Sequence, residues 1–311
     1  MWGCAGKMNE ISIIIPTYNE KKNLSNLIPH IEEIIKKNNI IAEIIIIDDN
    51  SPDGTGQLAE ELNKKYQNIK IIHRKKKEGV GSARRLGFSK ASKDIILSME
   101  GDNTHNPDYI PQFIEEIENG ADLVIGSRYL KESKIINWPL KRKIVSKTAN
   151  LIARFFAGVN LTDVTNGYRA FTKNLFNKLT IESSGFPFNM EFACETVSRR
   201  FKVKEIPIIF TDRKEGSSKM NVGKEFIAFT STAFRFAYTY RPVRVFGGIG
   251  LTMFTIGLIL GIQVVYLKLT GNITNRITLI FLSVLLILSG FQMMSLGLIA
   301  GILTKLRKEV L

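Results

Sequence analysis

The chain has 311 residues, and its 43 lysines and arginines exceed its 29 aspartates and glutamates, giving a formal net charge of +14. This length suits one α/β domain of about 200–240 residues with a smaller appendage. The positive charge favours an anionic partner, such as nucleic acid, phospholipid headgroups or a phosphorylated substrate. The two cysteines, Cys4 and Cys194, lie far apart, so the sequence indicates neither a zinc site nor a disulfide framework.

Short apolar runs alternate with helical patterns through the first half of the chain. The runs are rich in β-branched residues and predict buried strands, at Ile11–Ile15, Glu43–Ile47, Ile69–His73, Asp94–Met99 and Asp122–Ile125. Helical periodicity predicts helices between them, near Asn23–Lys37, Thr55–Tyr66, Gly81–Ala91 and Tyr109–Asn119. This order is typical of an α/β fold with a mostly parallel, Rossmann-like sheet covered by helices on both faces.

Polar motifs follow three of the predicted strands at the point where each strand ends. They occupy Pro16–Glu20, Asp48–Gly54 and Ser98–Pro107. Each motif alone also suits a turn, because Asp and Asn favour turns and helix caps. Ligands of parallel sheets bind beyond the carboxyl ends of the strands, so we expect the three motifs to form one pocket.

Two long apolar segments lie in the C-terminal part of the chain. Val245–Leu267 and Ile277–Leu303 contain no charged residue, and each exceeds the roughly 20 residues that cross a bilayer. The alternative is a pair of buried helices in a soluble core, but such helices are rarely this long and uncharged. The short connector Lys268–Arg276 predicts an antiparallel hairpin. These segments favour a lipid bilayer over nucleic acid as the anionic partner.

Basic residues flank the two apolar segments on the side that carries the rest of the chain. Arg241 and Arg244 precede the first segment, and Lys305, Arg307 and Lys308 follow the second. The positive-inside rule therefore predicts a protein with two membrane spans, whose termini and N-terminal domain are cytoplasmic.

Two further segments have amphipathic helical patterns. In Lys143–Ala157, basic residues line one face and apolar residues the other, which suits the membrane surface or packing against the sheet equally well. In Lys224–Tyr240, aromatic residues recur at 3–4 spacing and the pattern leads directly into the first apolar segment. The second segment therefore predicts an interfacial helix.

Several longer motifs occur in a fixed order between residues 9 and 240. They are IIIPTYNE, IIDDNSPDGT, Glu100-Gly101-Asp102 with the following His105 and Pro107, Gly126–Tyr129, Trp138-Pro139 with Arg142 and Lys143, Thr165–Phe171, and Arg213–Lys219. On these motifs the chain resembles the family 2 glycosyltransferases of the GT-A fold, and among them the dolichyl-phosphate mannose synthases. The apolar hairpin resembles the subset of such enzymes that carry their own membrane anchor.

The resemblance implies a GT-A catalytic domain at 8–220, an interfacial helix at 221–242 and a membrane anchor at 243–311. The implied reaction transfers a hexose with inversion from a nucleotide-sugar to dolichyl or polyprenyl phosphate, giving a lipid-linked sugar donor for glycan assembly. GDP-mannose is the preferred donor, and UDP-glucose or a UDP-N-acetylhexosamine is the alternative. The implied partners are the nucleotide-sugar, the lipid phosphate and the bilayer, and no nucleic acid is expected. The sequence leaves open whether the protein forms a homo-oligomer.

The resemblance also implies a nucleotide site at the ends of the first two strands. Pro16, Tyr18 and Glu20 lie where the family cradles the base, and Asp48 and Asp49 lie where it binds the nucleotide.

A metal site is expected in the Glu-Gly-Asp motif. Glu100 and Asp102, at i and i+2, project to the same side of an extended segment, and oxygen ligands suit Mg²⁺ or Mn²⁺. Glu100 replaces the usual first Asp of the family motif, which changes how the metal is held. Thr104 lies where mannose synthases often have Gln, which keeps the identity of the sugar open. His105 either ligates the metal or, as we favour, orients the loop.

Cationic residues within the motifs are expected to bind the two phosphate groups. The resemblance assigns Arg128, Arg142 and Ser218 to the lipid phosphate, and Arg213 and Lys219 to the nucleotide. The resemblance implies that Arg128, Arg142 and Arg213 are catalytic residues, together with Asp102. An acceptor phosphate is already largely dianionic at pH 7, so no dedicated base is required.

Three other functions are alternatives to this reaction. A processive polysaccharide synthase usually carries a QxxRW motif and more spans, and a sugar nucleotidyltransferase begins with a Gly-rich phosphate loop that Pro16–Glu20 does not provide. A non-catalytic membrane protein that binds lipid or nucleotide is the alternative from a different class.

Overall fold

The computed structural model describes residues 10–213, 222–271 and 277–310. It divides into two compact units, one containing Met1–Arg154 and Val159–Thr232 and the other containing Phe155–Gly158 and Ala233–Leu311.

The first unit is built on a seven-stranded sheet with the order β3-β2-β1-β4-β7-β5-β8. Its strands are β1 Glu10–Thr17, β2 Ile41–Asp48, β3 Ile69–His73, β4 Ile95–Ser98, β5 Leu123–Ser127, β7 Arg169–Thr172 and β8 Val203–Pro207. A separate two-stranded sheet pairs β6 Lys134–Ile136 with β9 Ile209–Thr211. The predicted α/β fold with a mostly parallel sheet is confirmed.

Eight α-helices with residues in this unit accompany the sheet in the described part of the chain. They are α1 Lys21–Lys37, α2 Thr55–Tyr66, α3 Val80–Lys90, α4 Ile110–Glu118, α5 Leu140–Ile152, α6 Lys173–Lys178, α7 Phe188–Ser198 and α8 Val222–Tyr240, the last of which continues into the second unit. In α1, for example, Leu24, Leu27, Ile28 and Ile31 recur at 3–4 spacing, and all four are buried in the core.

Parallel pairing brings the predicted polar motifs to one edge of the sheet. Thr17 pairs with Asp48 across β1 and β2, and Ile14 pairs with Ser98 across β1 and β4. The three strands therefore end close together, and the loops that follow them face one region.

The predicted strands and helices of the first half are present, with ends within two residues of those expected. Strand β7 was not predicted, and it runs antiparallel to both neighbours, β4 and β5. Helix α7 was also missed, because Phe188–Thr196 is buried along its whole length and shows no polar stripe.

The second unit contains the two long apolar helices, α9 Pro242–Leu269 and α10 Ile277–Val310. Both are long and apolar enough to cross a membrane, and most of their surface is exposed, unlike that of core helices in a soluble protein. A Cβ at Gly257 would lie 2.8 Å from the backbone nitrogen of Ile287, and Gly301 faces Val243. These pairings confirm the predicted antiparallel hairpin.

Candidate active site

A cavity of about 380 Å³ opens at the carboxyl ends of β1, β2 and β4 within the first unit. Ten of the residues predicted from sequence to be functional or to orient the site line it: Pro16, Tyr18, Glu20, Asp49, Glu100, Asp102, His105, Arg128, Arg142 and Arg213. Asp48 was also predicted for nucleotide binding but does not line it. Lys219 and Ser218 lie outside the described residues.

The loop after β1 is held in place by the loop after β2. The backbone N–H of Asn19 donates to the Ser51 hydroxyl at 3.0 Å, and that of Glu20 donates to the Thr55 hydroxyl at 3.0 Å. Asn19 adopts a left-handed backbone with φ 56°, a conformation that asparagine tolerates better than most residues. Lys77 lies 4.2 Å above the Tyr18 ring, so a cation and an aromatic ring meet where the base is expected.

The two aspartates that end β2 have different environments. The Asp49 carboxylate accepts a hydrogen bond from Arg74 at 2.8 Å, and burial raises the pKa of Asp49 although Arg74 opposes the shift. Asp48 instead accepts from the backbone N–H of Ser51 at 3.2 Å and stabilises the turn. We therefore assign Asp48 to loop structure.

The predicted metal-binding segment follows β4. Asp102 accepts from the backbone and hydroxyl of Thr104 at 3.1 and 2.6 Å, and its other oxygen pairs with Arg213 at 2.8 Å. Glu100 forms an ion pair with Arg84. Both carboxylates line the cavity, as their spacing predicts.

Both ring nitrogens of His105 are engaged in hydrogen bonds. Nδ1 accepts from the backbone N–H of Glu100 at 3.0 Å, so the ring proton is on Nε2, which donates to Asn166 at 3.1 Å. The ring stacks on Tyr168, and burial lowers the pKa of His105 to about 4. Because both ring nitrogens already have partners, we expect His105 to orient the loop and not to bind the metal.

Arg128 and Arg142 line the cavity together with aromatic rings. Nε and Nη2 of Arg128 donate to the two Asp163 oxygens at 2.7 and 2.8 Å, and its guanidinium lies 4.7 Å from the Trp138 ring. Arg142 donates to the Asp212 carboxylate at 3.0 and 3.1 Å.

Sequence reasoning missed the partners of these arginines. Asp163 and Asp212 carry no motif that marks them as counter-ions, because each meets its arginine only after folding. Phe210 follows no functional pattern either, whereas Trp138 lies within a quoted motif. The burial of Arg84 could have been found from its position, because it lies on the same helical face as Gly81 and Phe88.

The residues present fit a hard divalent cation. Among the described residues there is no cluster of three or more His, Cys, Asp or Glu side chains arranged to hold a metal. Mg²⁺, however, is commonly bound by one or two carboxylates together with substrate phosphates. Glu100 and Asp102 supply two such carboxylates on the wall of one cavity.

Comparison with known proteins identifies the family. The family model described as glycosyl transferase family 2 matches residues 12–180. The chain is 36% identical over 216 residues to polyprenol monophosphomannose synthase of Mycolicibacterium smegmatis, covering 67% of this chain and 80% of the relative. It is 38% identical over 228 residues to dolichol-phosphate mannosyltransferase of Pyrococcus furiosus, covering 73% and 63%, respectively.

Solved structures agree on the fold. Glucosyl-3-phosphoglycerate synthase from Mycobacterium tuberculosis, in complex with Mn²⁺, UDP and glucosyl-3-phosphoglycerate, aligns with a TM-score of 0.55. That alignment covers 76% of this chain and 80% of the other, at 18% sequence identity. A mycobacterial protein aligns with a TM-score of 0.59 and 16% identity over 75% of each chain. The chain belongs to glycosyl transferase family 2 and is a glycosyltransferase with the GT-A fold.

Proposed function

We propose that this glycosyltransferase moves a hexose from a nucleotide-sugar to the phosphate of a polyprenyl or dolichyl lipid, with GDP-mannose as the preferred donor. The observation that carries the proposal is the composition of the cavity. Carboxylates that follow β1, β2 and β4 line the same cavity as Arg128, Arg142 and Arg213 and several aromatic rings. Two relatives support this choice of acceptor and sugar by their names, polyprenol monophosphomannose synthase and dolichol-phosphate mannosyltransferase.

Two buried nitrogen donors on cavity-lining side chains suit a phosphate group. Nε1 of Trp138 and Nε of Arg142 are buried without a hydrogen-bond partner among the described residues, and both side chains line the cavity. A buried donor with no partner carries a free-energy cost. An anionic oxygen placed between Trp138 and Arg142 would satisfy both donors and meet a positive charge.

The proposed reaction is a single displacement with inversion. An oxygen of the lipid phosphate attacks the anomeric carbon while the bond from that carbon to the nucleoside diphosphate breaks, and the leaving diphosphate takes the electron pair. The acceptor is already an anion, so no proton has to be removed from it. The protein aligns two anions and offsets their repulsion with fixed cations.

The residues divide these tasks by their position. Glu100 and Asp102 would hold Mg²⁺ or Mn²⁺, which when bound supplies Lewis-acid stabilisation of the leaving diphosphate. Arg213 is within reach of the same group, since it contacts Asp102. We assign Arg128 and Arg142 to the incoming lipid phosphate.

The surface of helix α5 suits a membrane nearby. Leu140, Ile144 and Leu151 are 71%, 54% and 64% exposed, and basic residues accompany them on the same helix. An exposed apolar stripe with lysines is typical of helices that lie in a bilayer surface. Together with the two apolar helices, this supports a membrane-anchored enzyme. The flanking basic residues favour a cytoplasmic catalytic unit.

A product assay tests the proposed function. Purified full-length protein with Mg²⁺ or Mn²⁺ and a polyprenyl phosphate is offered GDP-mannose, UDP-glucose and UDP-N-acetylglucosamine separately, and products are identified by mass spectrometry. We expect polyprenyl-phosphate-mannose and GDP from the first donor. A lipid product from a UDP-sugar alone would change the donor assignment, and the absence of any lipid-linked product would contradict the acceptor.

A further inference from the structure

A buried guanidinium contacts the segment that is predicted to bind the metal. Arg84 on α3 is fully buried and does not line the cavity, whereas Glu100 lines it and its side chain is 27% exposed. Nη2 of Arg84 pairs with Oε1 of Glu100, and Nη1 donates to the side chain of Asn189 at 3.3 Å. The ion pair therefore connects the protein interior to the cavity wall.

Arg84 has a second buried cation as a neighbour. Arg169 is also fully buried and donates to backbone carbonyls, including that of Asn189 at 2.9 Å. Burial lowers the pKa of Arg169 to about 9, and the positive charge of Arg84 adds to the shift. A buried charge without a counter-ion is strongly destabilising. Among the described residues, Glu100 supplies the carboxylate that forms an ion pair with Arg84.

The lack of a side chain at Gly167 leaves room for the ion pair between Arg84 and Glu100. A Cβ at Gly167 would lie 2.7 Å from Oε1 of Glu100 and also against Nη2 of Arg84. The close approach of this ion pair, and not an unusual backbone conformation, therefore favours glycine at position 167.

The ion pair suits the length of a glutamate side chain. An aspartate is one methylene shorter, so at the same backbone position its carboxylate would lie farther from Arg84. Oε1 of Glu100 pairs with Arg84, and the other carboxylate oxygen, on a side chain that lines the cavity, would bind the metal.

We propose that Arg84 is a positioning residue, whose ion pair aims Glu100 at the metal while Glu100 serves as the counter-ion of the buried cation. The part of the proposal that concerns the metal rests on the proposed function. The counter-ion part does not, so the two can fail separately. A carboxylate that served only as a metal ligand would not be expected to stabilise the fold.

The first experiment is a thermal-unfolding cycle on the full chain in detergent, without metal or nucleotide. We expect Glu100→Gln to lower the melting temperature by at least about 5 °C, because it leaves a buried arginine without its partner. The double variant Glu100→Gln/Arg84→Met should recover most of that loss. Glu78→Gln is the matched control, because this half-exposed carboxylate also pairs with a largely buried arginine, Arg74, which keeps Asp49 as a second partner. It should stay within about 2 °C of wild type. Equal melting temperatures for Glu100→Gln and Glu78→Gln would overturn the counter-ion role.

The second experiment measures Mn²⁺ affinity by electron paramagnetic resonance, with GDP and separately with UDP. We expect Arg84→Met to weaken Mn²⁺ binding by about tenfold, as loss of a residue that orients a ligand typically does. Arg84→Lys is the milder variant, which keeps the charge but loses the planar fork, and it should weaken binding several-fold without a large loss of stability.

Unchanged Mn²⁺ affinity in both Arg84 variants would overturn the positioning role. Failure of the wild-type protein to bind Mn²⁺ with either nucleotide would overturn the metal site of the proposed function together with that role. The thermal cycle would still decide the counter-ion role in that case.

Discussion

Arg128, Arg142 and Arg213 are each ion-paired with a carboxylate of the same unit: Asp163, Asp212 and Asp102, respectively. In the proposed reaction, these pairs would hold the three guanidinium groups in place before a substrate arrives. Preorganised donors lower the barrier because little reorganisation is needed during reaction. The carboxylate partners also offset part of the positive charge, so the orientation of the arginines matters as much as their charge.

We predict that Asp102→Asn nearly abolishes turnover and leaves the fold intact. Its carboxylate lines the cavity and is the expected direct ligand of the metal, so neutralising it removes charge where the diphosphate is held. The measurement is steady-state kinetics at saturating Mn²⁺, with circular dichroism as the control for folding. A rate within about tenfold of wild type would contradict the assignment.

We predict that Arg→Lys at positions 128, 142 and 213 lowers kcat more than it weakens nucleotide affinity. Lysine keeps the charge but cannot make paired, planar hydrogen bonds of the kind that Arg128 makes here with Asp163 and that a guanidinium makes with a phosphate. A slight misplacement of the attacking oxygen can cost about a hundredfold in rate.

The measurement combines kinetics at varied lipid phosphate with calorimetric binding of the nucleoside diphosphate. Arg→Ala variants at the same positions should harm both quantities. Wild-type rates in all three lysine variants would mean that these arginines serve only the general basic surface.

Helices α9 and α10 are packed through glycine contacts at several levels. A Cβ at Gly250 would lie 2.6 Å from the carbonyl oxygen of Gly290, and a Cβ at Gly290 would lie 2.6 Å from the backbone nitrogen of Phe254. Apolar burial contributes little between helices in lipid, so close backbone contact between small residues supplies the packing energy.

We predict that Gly290→Leu destabilises the hairpin, by about 1–3 kcal/mol as for other overpacked sites. Gly261→Leu is the matched control, because a Cβ at Gly261 would meet no atom within 4 Å. The measurement is the thermal stability of the full chain in mild detergent, followed by size-exclusion chromatography of the heated samples. Equal losses in the two variants would show that helix contact at Gly290 is unimportant.

At the scale of the whole molecule, the candidate active-site cavity is lined by residues of the first unit, and the long apolar helices belong to the second. Under the proposed function, this division would separate chemistry from membrane anchoring. The anchor would then act on the acceptor by raising its effective concentration in the bilayer.

We predict that removal of Val243–Leu311 releases a protein that still binds the nucleotide. It should use long-chain polyprenyl phosphate poorly, and a short-chain, water-soluble acceptor should largely restore its rate. Nucleotide binding is measured by calorimetry, and turnover with both acceptors by product analysis. Loss of nucleotide binding on truncation would mean that the hairpin belongs to the catalytic core.

The sequence by itself determined the parallel part of the sheet, the edge where the site lies and the two apolar helices. Each of these is encoded locally, because apolar runs of strand or helix length and the polar residues that follow them are visible within short windows. Parallel pairing then brings the ends of β1, β2 and β4 together without further information.

Only the tertiary structure decided the antiparallel insertion of β7 and the partners of the buried and cavity-lining arginines. Arg142 and Asp212 are 70 residues apart, and Arg84 and Asn189 are 105 residues apart. Charged residues form no periodic pattern that marks their partner, and the attraction between two of them depends on a distance and a burial that exist only in the folded chain. For this reason the sequence predicted Glu100 as a metal ligand, whereas its ion pair with Arg84 could be found only in the structure.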